Sequence, residues 1–234
     1  MPLNRPLPIL HDRTSAFSYE CRACNKCCHK RGIPVSPYDL IRLAACKGVS
    51  TREFRREWMD GNGIYLSQRS DTSCRLLGEA GCTVHADRPL ACRLYPLGRV
   101  TCDGVEHFVE LEPEPGTKGI YGLDGEVADY LEAQGVEPYL SRVAKYRELQ
   151  VAMEQAAVQS VQYESATGAT GEDPAVEAIG WILDPDPIIA AWCEHEQADE
   201  PADSEVRCEI HLSALWAWVE GRWTPPTLHR STSE

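Results

Sequence analysis

The segment CRACNKCCHK, residues 21–30, places four cysteines within eight positions. Thiols this crowded exceed what core packing needs and sit too close for a comfortable set of mutual disulfides. Their spacing, Cys21-x2-Cys24-x2-Cys27-Cys28, suits a metal, because a tight turn points two thiolates two residues apart in the same direction. Two consecutive C-x2-C steps offer three thiolates on one loop. Many [4Fe–4S] clusters are wrapped this way, with the fourth thiolate arriving from far along the chain. Cys92 is a candidate for that remote ligand, and Cys74 and Cys82 precede it as widely spaced singles.

Zn2+ is the alternative. A structural zinc site takes four ligands, commonly two C-x2-C pairs. Cys21 and Cys24 could be one pair, but no second C-x2-C pair follows. The thiols outnumber the needs of one zinc. They suit two mononuclear sites, one cluster plus a second site, or one cluster with spare thiols, and spacing alone does not decide the metal. Disulfides or redox-active thiols are the remaining reading. Neighbouring sulfurs are expected to diverge, so Cys28 should face a second centre or be buried.

Cys92 lies in RPLACRLYP, where Asp87 is the expected helix cap, Pro89 opens the helix and Pro96 ends it. Arg88 and Arg93 bring positive charge beside a candidate ligand. A guanidinium there offsets the net negative charge of a thiolate-bound metal; the plainer reading is two surface charges.

The elements that must position these thiols follow from local patterns. Ser36, Pro37 and Gly48 bracket one helix, and Ser50 with Glu53 has capping-box spacing for a second that ends near Gly61. GIYLSQR alternates like a strand. RVTCDGVEHFVELE predicts a hairpin turning at Asp103-Gly104. DGEVADYLEAQG, EPYLSRVAKYRELQVAMEQAAVQSV, DPDPIIAAWCEHEQ (capped by Asp186) and SEVRCEIHLSALWAWVEGRW predict helices. SATGATGEDP and ADEPADSE are connectors.

Composition bounds the rest. Hydrophobic residues at 43% and charged residues at 25% of 234 predict a folded globular chain. A net charge of −13 argues against nucleic acid, which needs clustered Lys and Arg. Arg52, Arg55 and Arg56 form a local basic patch, read as a solvated helix face. MPLNRPLPILHDRTS lacks the apolar core of a secretory signal, and no stretch reaches the length of a membrane span. The expected location is cytoplasmic, where clustered thiols hold metals more often than disulfides.

Nine of the eleven cysteines lie between Cys21 and Cys102. Cys102 is either another thiol of the metal region or a hairpin residue. Cys46, Cys193 and Cys208 lie on amphipathic helices and are expected to pack. His29 and His85, next to Cys28 and Cys82, are read as surface residues, with sulfur contact or proton transfer as the alternative. Trp218 falls off the stripe of the last helix, which suggests either a partner surface or a single exposed ring. The chain has no Gly-rich phosphate loop, no methyl-donor motif and no C-x3-C-x2-C triplet.

Taken together, CRACNKCCHKRGIPVSPYDLIRLA, Cys74, Cys82 and RPLACRLYPLGR resemble the CxxCxxCC cysteine-cluster family, also called YkgJ-type, a zinc- or iron-chelating domain that includes flagellin lysine N-methylases with known iron–sulfur dependence. The resemblance covers about residues 17 to 110, and more loosely YGLDGEVADYLEAQGVEPYL. It implies Cys21, Cys24, Cys27, Cys28, Cys74, Cys82 and Cys92 as ligands. Asn25 stands where members carry glycine, and asparagine tolerates the left-handed backbone that position needs. Members often hold a further cysteine near EPEPGTKG; this chain has none there.

The resulting expectation is an α+β protein. A small cysteine-rich metal-binding domain with short helices and an antiparallel hairpin spans 17–111. A mainly helical C-terminal region spans 112–234 and packs on it, with flexible linkers near 165–174 and 197–204. Its function is expected to be that of an iron–sulfur or zinc cysteine-cluster protein with a redox or modifying role. The resemblance adds transfer of a methyl group to protein lysine, with another protein as substrate or partner. The alternatives are a structural zinc module that mediates protein–protein interaction, and an iron or zinc carrier.

Overall fold

The computed structural model describes residues 9–167 and 174–226. The α+β expectation holds. The chain divides into two compact units, one built from Met1–Val35 with Ile64–Leu140 and the other from Ser36–Gly63 with Ser141–Glu234.

The first unit contains three two-stranded antiparallel ribbons and short helices. Strand β1 (Ala16–Glu20) pairs with β6 (Ile120–Glu126), β2 (Leu77–Gly78) with β3 (Gly81–Cys82), and β4 (Leu97–Cys102) with β5 (Val105–Glu110). The β4–β5 hairpin turns at Asp103 (φ 50°) and Gly104 (φ 80°), the left-handed pair that a two-residue turn requires. Helices α3 (Leu90–Leu94) and α4 (Val127–Ala133) pack with the ribbons around Phe17, Leu97, Phe108, Val127 and Leu131. Each fully buried side chain of this size contributes about 2 kcal/mol of burial free energy.

The second unit is helical: α1 (Pro37–Lys47), α2 (Thr51–Trp58), all but the first turn of α5 (Glu137–Thr167), α6 (Pro174–Leu183), α7 (Pro185–Glu196) and α8 (Ser204–Val219). Ser36 with Asp39 and Ser50 with Glu53 form complete capping boxes, and Gly48 ends α1 at φ 66°. Asp203 caps α8 by accepting from the backbone of Glu205 and Val206. Helix α1 packs on α2 and α8, and α7 on α8.

Several local expectations are corrected. GIYLSQR makes isolated bridges, Pro34 with Tyr65 and Gln68 with Cys74, the first held by Val35 N–H to Ile64 O and Leu66 N–H to Ile33 O, each at 2.9 Å. DGEVADYLEAQG divides: its first residues complete β6 and only Val127–Ala133 is helical. Helix α2 stops at Trp58, short of Gly61. Helix α7 begins at Pro185 with Asp184 as its cap residue; Asp186 instead accepts from the Thr51 backbone and from Arg207, each at 2.7 Å. Cys46 is exposed, whereas Cys193 and Cys208 are buried. Trp218 is half-buried, edge-on to Trp181 at 5.0 Å, which accounts for its place off the stripe. Of the linker expected at 165–174, residues 168–173 lie outside the described residues, as do residues 1–8 of the N-terminal stretch. Among the described residues no helix is long and apolar enough to cross a membrane.

Candidate metal centre

Three backbone segments of the first unit carry the thiols. The first, residues 21–30, leaves β1 and bends through left-handed Ala23 (φ 48°), Asn25 (φ 58°) and Lys30 (φ 57°). Asn25 accepts from the Cys28 N–H at 3.0 Å and opens a short 3-10 turn, Lys26–Cys28. Asparagine thus supplies the conformation that glycine would otherwise give.

The second segment is bonded directly to the first. The Lys30 N–H donates to Thr72 O at 3.0 Å, and the Cys74 N–H donates to Cys28 O at 2.8 Å. Asp71 accepts from the Ser73 backbone and hydroxyl, and Arg69 donates to the Ser73 hydroxyl and to the carbonyls of Cys74 and Arg75. Cys74 O then accepts from Leu77, and Leu77 pairs across the ribbon with Cys82. Backbone hydrogen bonds therefore run from Cys28 through Cys74 to the strand pair that bears Cys82.

The third segment delivers Cys92 from α3. The expected cap at Asp87 is not found: Asp87 closes a short 3-10 turn, and Pro89 occupies the position before α3 without a side-chain cap. Arg93 is buried, donates to the carbonyls of Arg88, Gln134 and Ala86, and lies 4.3 Å over the Tyr139 ring. Arg93 holds the segment in place; it does not line the cavity described next.

Cys21, Cys27, Cys28, Cys74, Cys82 and Cys92 line one cavity of about 740 Å³. Lys30, Arg31, His85 and Arg88 join them, together with Tyr19, Tyr95 and Tyr130, and no Asp or Glu is among the lining residues. Arg88 donates to His85 O and to Gln134 Oε1, neither of which carries charge. Arg31 stacks on Tyr95 at 4.8 Å and pairs with Glu114 at 2.9 Å. Cys24 is the ligand candidate outside this lining. Its sulfur accepts from the Lys118 N–H at 3.4 Å and meets the Thr117 hydroxyl at 3.8 Å. Cys46 and Cys102 are exposed and also lie outside the lining.

Cys27 and Cys28 act on one another. They share a hydrogen bond, which lowers the Cys27 thiol to about 7, with Arg31 assisting and burial opposing. The same bond pushes Cys28 up, reinforced by burial and by the charges of Cys27, Cys92 and Cys82. Burial raises Cys74. The Lys118 N–H lowers Cys24. Burial lifts the Tyr19 phenol to about 12, with Cys21 adding to it.

The donors fit a thiophilic metal. Thiolates select zinc and iron–sulfur clusters, whereas calcium and magnesium need the carboxylates that this lining lacks. Among the described residues no three His, Cys, Asp or Glu side chains are gathered closely enough to hold one ion, and no disulfide joins any two cysteines. Tyr19, Arg31 and Gln134 were not singled out from the sequence. Tyr19 and Arg31 flank the thiol segment by one or two residues, a signal that was present, but Gln134 reaches the cavity only through the tertiary fold.

No curated protein and no solved structure matches the chain. Residues 20–112 match a family described as "Putative zinc- or iron-chelating domain". The match, to the CxxCxxCC family model, spans the three thiol-bearing segments and the β4–β5 hairpin.

Proposed function

We propose that the chain is a metalloprotein whose cysteines, drawn from Cys21, Cys24, Cys27, Cys28, Cys74, Cys82 and Cys92, hold an iron–sulfur cluster that serves a redox or modifying reaction. The observation that carries this reading is the cavity, whose lining holds six thiols, four basic side chains and no carboxylate. Spacing favours a cluster over a single zinc. Thiolates about 2.3 Å from a zinc stand about 3.8 Å from one another, and the described donors are not gathered that tightly in threes. Ligands to a cluster bind different irons and stand farther apart.

When bound, a cluster supplies one-electron chemistry or a Lewis-acidic iron. The chain's own residues set its surroundings. Arg88 and Lys30 place positive charge opposite the thiolates, which lowers the cost of collecting them. Leu66, Leu76, Val84 and Tyr95 keep part of the wall apolar. A volume of about 740 Å³ lies within the range of small-molecule sites, so a second molecule has room beside the metal. The resemblance to a family that includes flagellin lysine N-methylases makes a protein lysine the first substrate to try.

Anaerobic purification with analysis for iron, zinc and acid-labile sulfide tests the reading. The expected product is brown, carries iron and sulfide in equal amounts, and bleaches on reduction. A colourless chain with stoichiometric zinc overturns the cluster. The methyl-transfer reading stands on methylated lysine in a protein substrate incubated with a methyl donor, and falls if only the donor is consumed.

A further inference from the structure

Two residues that line the cavity carry donors the protein leaves unanswered. Tyr95 is 9% exposed, and its hydroxyl is buried without a hydrogen-bond partner among the described residues. The Arg31 Nε–H is buried without one as well. The two side chains belong together, because the Arg31 guanidinium lies 4.8 Å over the Tyr95 ring. The Tyr121 hydroxyl, close enough to Tyr95 for the two to act on each other, is buried and lacks a partner too. Two hydroxyls turned toward each other make one bond and leave one O–H without an acceptor. Buried donors in folded proteins are paired with few exceptions, and an exception calls for a reason.

The chemistry of the lining supplies one. It holds no carboxylate, while Lys30 and Arg88 add positive charge. Arg31 spends Nη2 on Glu112 O at 3.2 Å and on Glu114 at 2.9 Å, so Nε is left as a single donor rather than half of a fork. Two single donors suit the two oxygens of one carboxylate. Tyr19, Tyr130, Leu66 and Leu111 offer apolar surface to the rest of a molecule. The lining therefore suits an acidic co-substrate better than an ammonium, which would find no carboxylate here. Arg31 also acts on Cys27, so a use of its N–H toward metal-bound sulfur is what the test must separate.

We propose that the molecule entering beside the metal is a small organic acid, its carboxylate accepting from the Tyr95 hydroxyl and the Arg31 Nε–H and its apolar body lying against the tyrosines and leucines of the lining. This rests on the metalloprotein reading above for what stands beside the acid.

Calorimetric titration of the anaerobically purified full chain with benzoate, benzamide and benzylamine tests it. Benzoate should bind, benzamide should bind at least about tenfold more weakly, and benzylamine should not bind. Tyr95→Phe removes one O–H, keeps the ring, and should weaken benzoate about tenfold. Equal binding of benzoate and benzamide overturns the proposal, as does binding of benzylamine. Wild-type benzoate affinity in Tyr95→Phe also overturns it, and a shifted reduction potential in that variant would then assign the hydroxyl to the metal. Failure to bind benzoate overturns the acid site whatever the metal content and leaves the metal reading to its own assay. Benzoate bound through Tyr95 by a chain that purifies without metal upholds the acid site and sinks the metal reading instead. If Tyr95→Phe fails to fold, the ranking of the three ligands on the wild-type chain decides alone.

Discussion

The backbone N–H of Cys74 donates to the carbonyl of Cys28 at 2.8 Å, joining two thiol-bearing loops that are far apart in sequence. The bond is made by main chain, so it fixes where the sulfurs start whether or not metal is present. The fold therefore prepays part of the ordering cost that a metal would otherwise meet on binding.

That preparation depends on the turn before Cys74. Asp71 accepts from the Ser73 N–H at 2.9 Å and from its hydroxyl at 2.6 Å. Asp71→Ala frees this turn without touching a thiol. Metal affinity, measured by chelator competition, should fall about tenfold, as when outer partners of metal ligands are removed. Helical content should stay unchanged. Wild-type affinity in the variant would show that the turn does not position Cys74.

Arg88 and Arg93 should part company under mutation. Arg93 is buried, bonds three carbonyls and stacks on Tyr139. A lysine cannot reproduce that fork, so Arg93→Lys should cost about 3 kcal/mol in chemical denaturation. Arg88 faces the cavity and bonds Gln134 and a carbonyl. Arg88→Gln should cost under about 1 kcal/mol, yet shift the reduction potential of the bound metal downward, because a positive charge that favours the reduced form is gone. Equal stability losses in the two variants would contradict this assignment.

Local chemistry made some of this fold legible. The capping boxes at Ser36 and Ser50 and the Asp103-Gly104 turn are each written within a few residues, and all three form. Pairing of β1 with β6 is not written locally. Gly122, Asp124 and Gly125 are poor strand formers, and the segment becomes a strand through pairing of Glu126, Gly122, Tyr121 and Ile120 with Ala16, Ser18, Tyr19 and Glu20. The thiols themselves were visible as candidates, but spacing carried no information on which way Cys24 turns. That direction is set by Thr117 and Lys118, on a loop that carries no cysteine.

Alkylation in the folded chain should follow exposure. Cys46 and Cys102 are exposed, so both should react with iodoacetamide with or without metal. Cys193 and Cys208 are buried and should react only after denaturation. The seven candidate ligands should be protected by metal and labelled once a chelator removes it, with peptide mass spectrometry locating each adduct. Protection of Cys46 that disappears with the metal would place it in the site and undo the division of roles.

The second unit carries its own pH dependence. His211 is fully buried; its Nε2–H donates to Trp181 O at 3.0 Å, because a carbonyl can only accept. Its Nδ1 must then accept from the Tyr146 hydroxyl at 2.8 Å, and Tyr146 in turn accepts from Cys208. Every donor in this chain has an acceptor only while the ring is neutral. Burial holds the His211 pKa down to about 4, against an ordinary value of 6.5 in the unfolded chain. The unfolded state therefore binds the proton first as pH falls. Stability is fully present above pH 6.5 and drains between there and pH 4, by about 3 kcal/mol in all. Carboxylates titrate in the lower part of that window, so the comparison must be with a chain lacking the ring. His211→Gln keeps one acceptor and one donor but cannot titrate. It should be less stable than wild type at pH 7.5, yet lose stability more gradually down to pH 4.5 in urea denaturation. Parallel curves would mean that protons taken up elsewhere, not at His211, govern the acid limb.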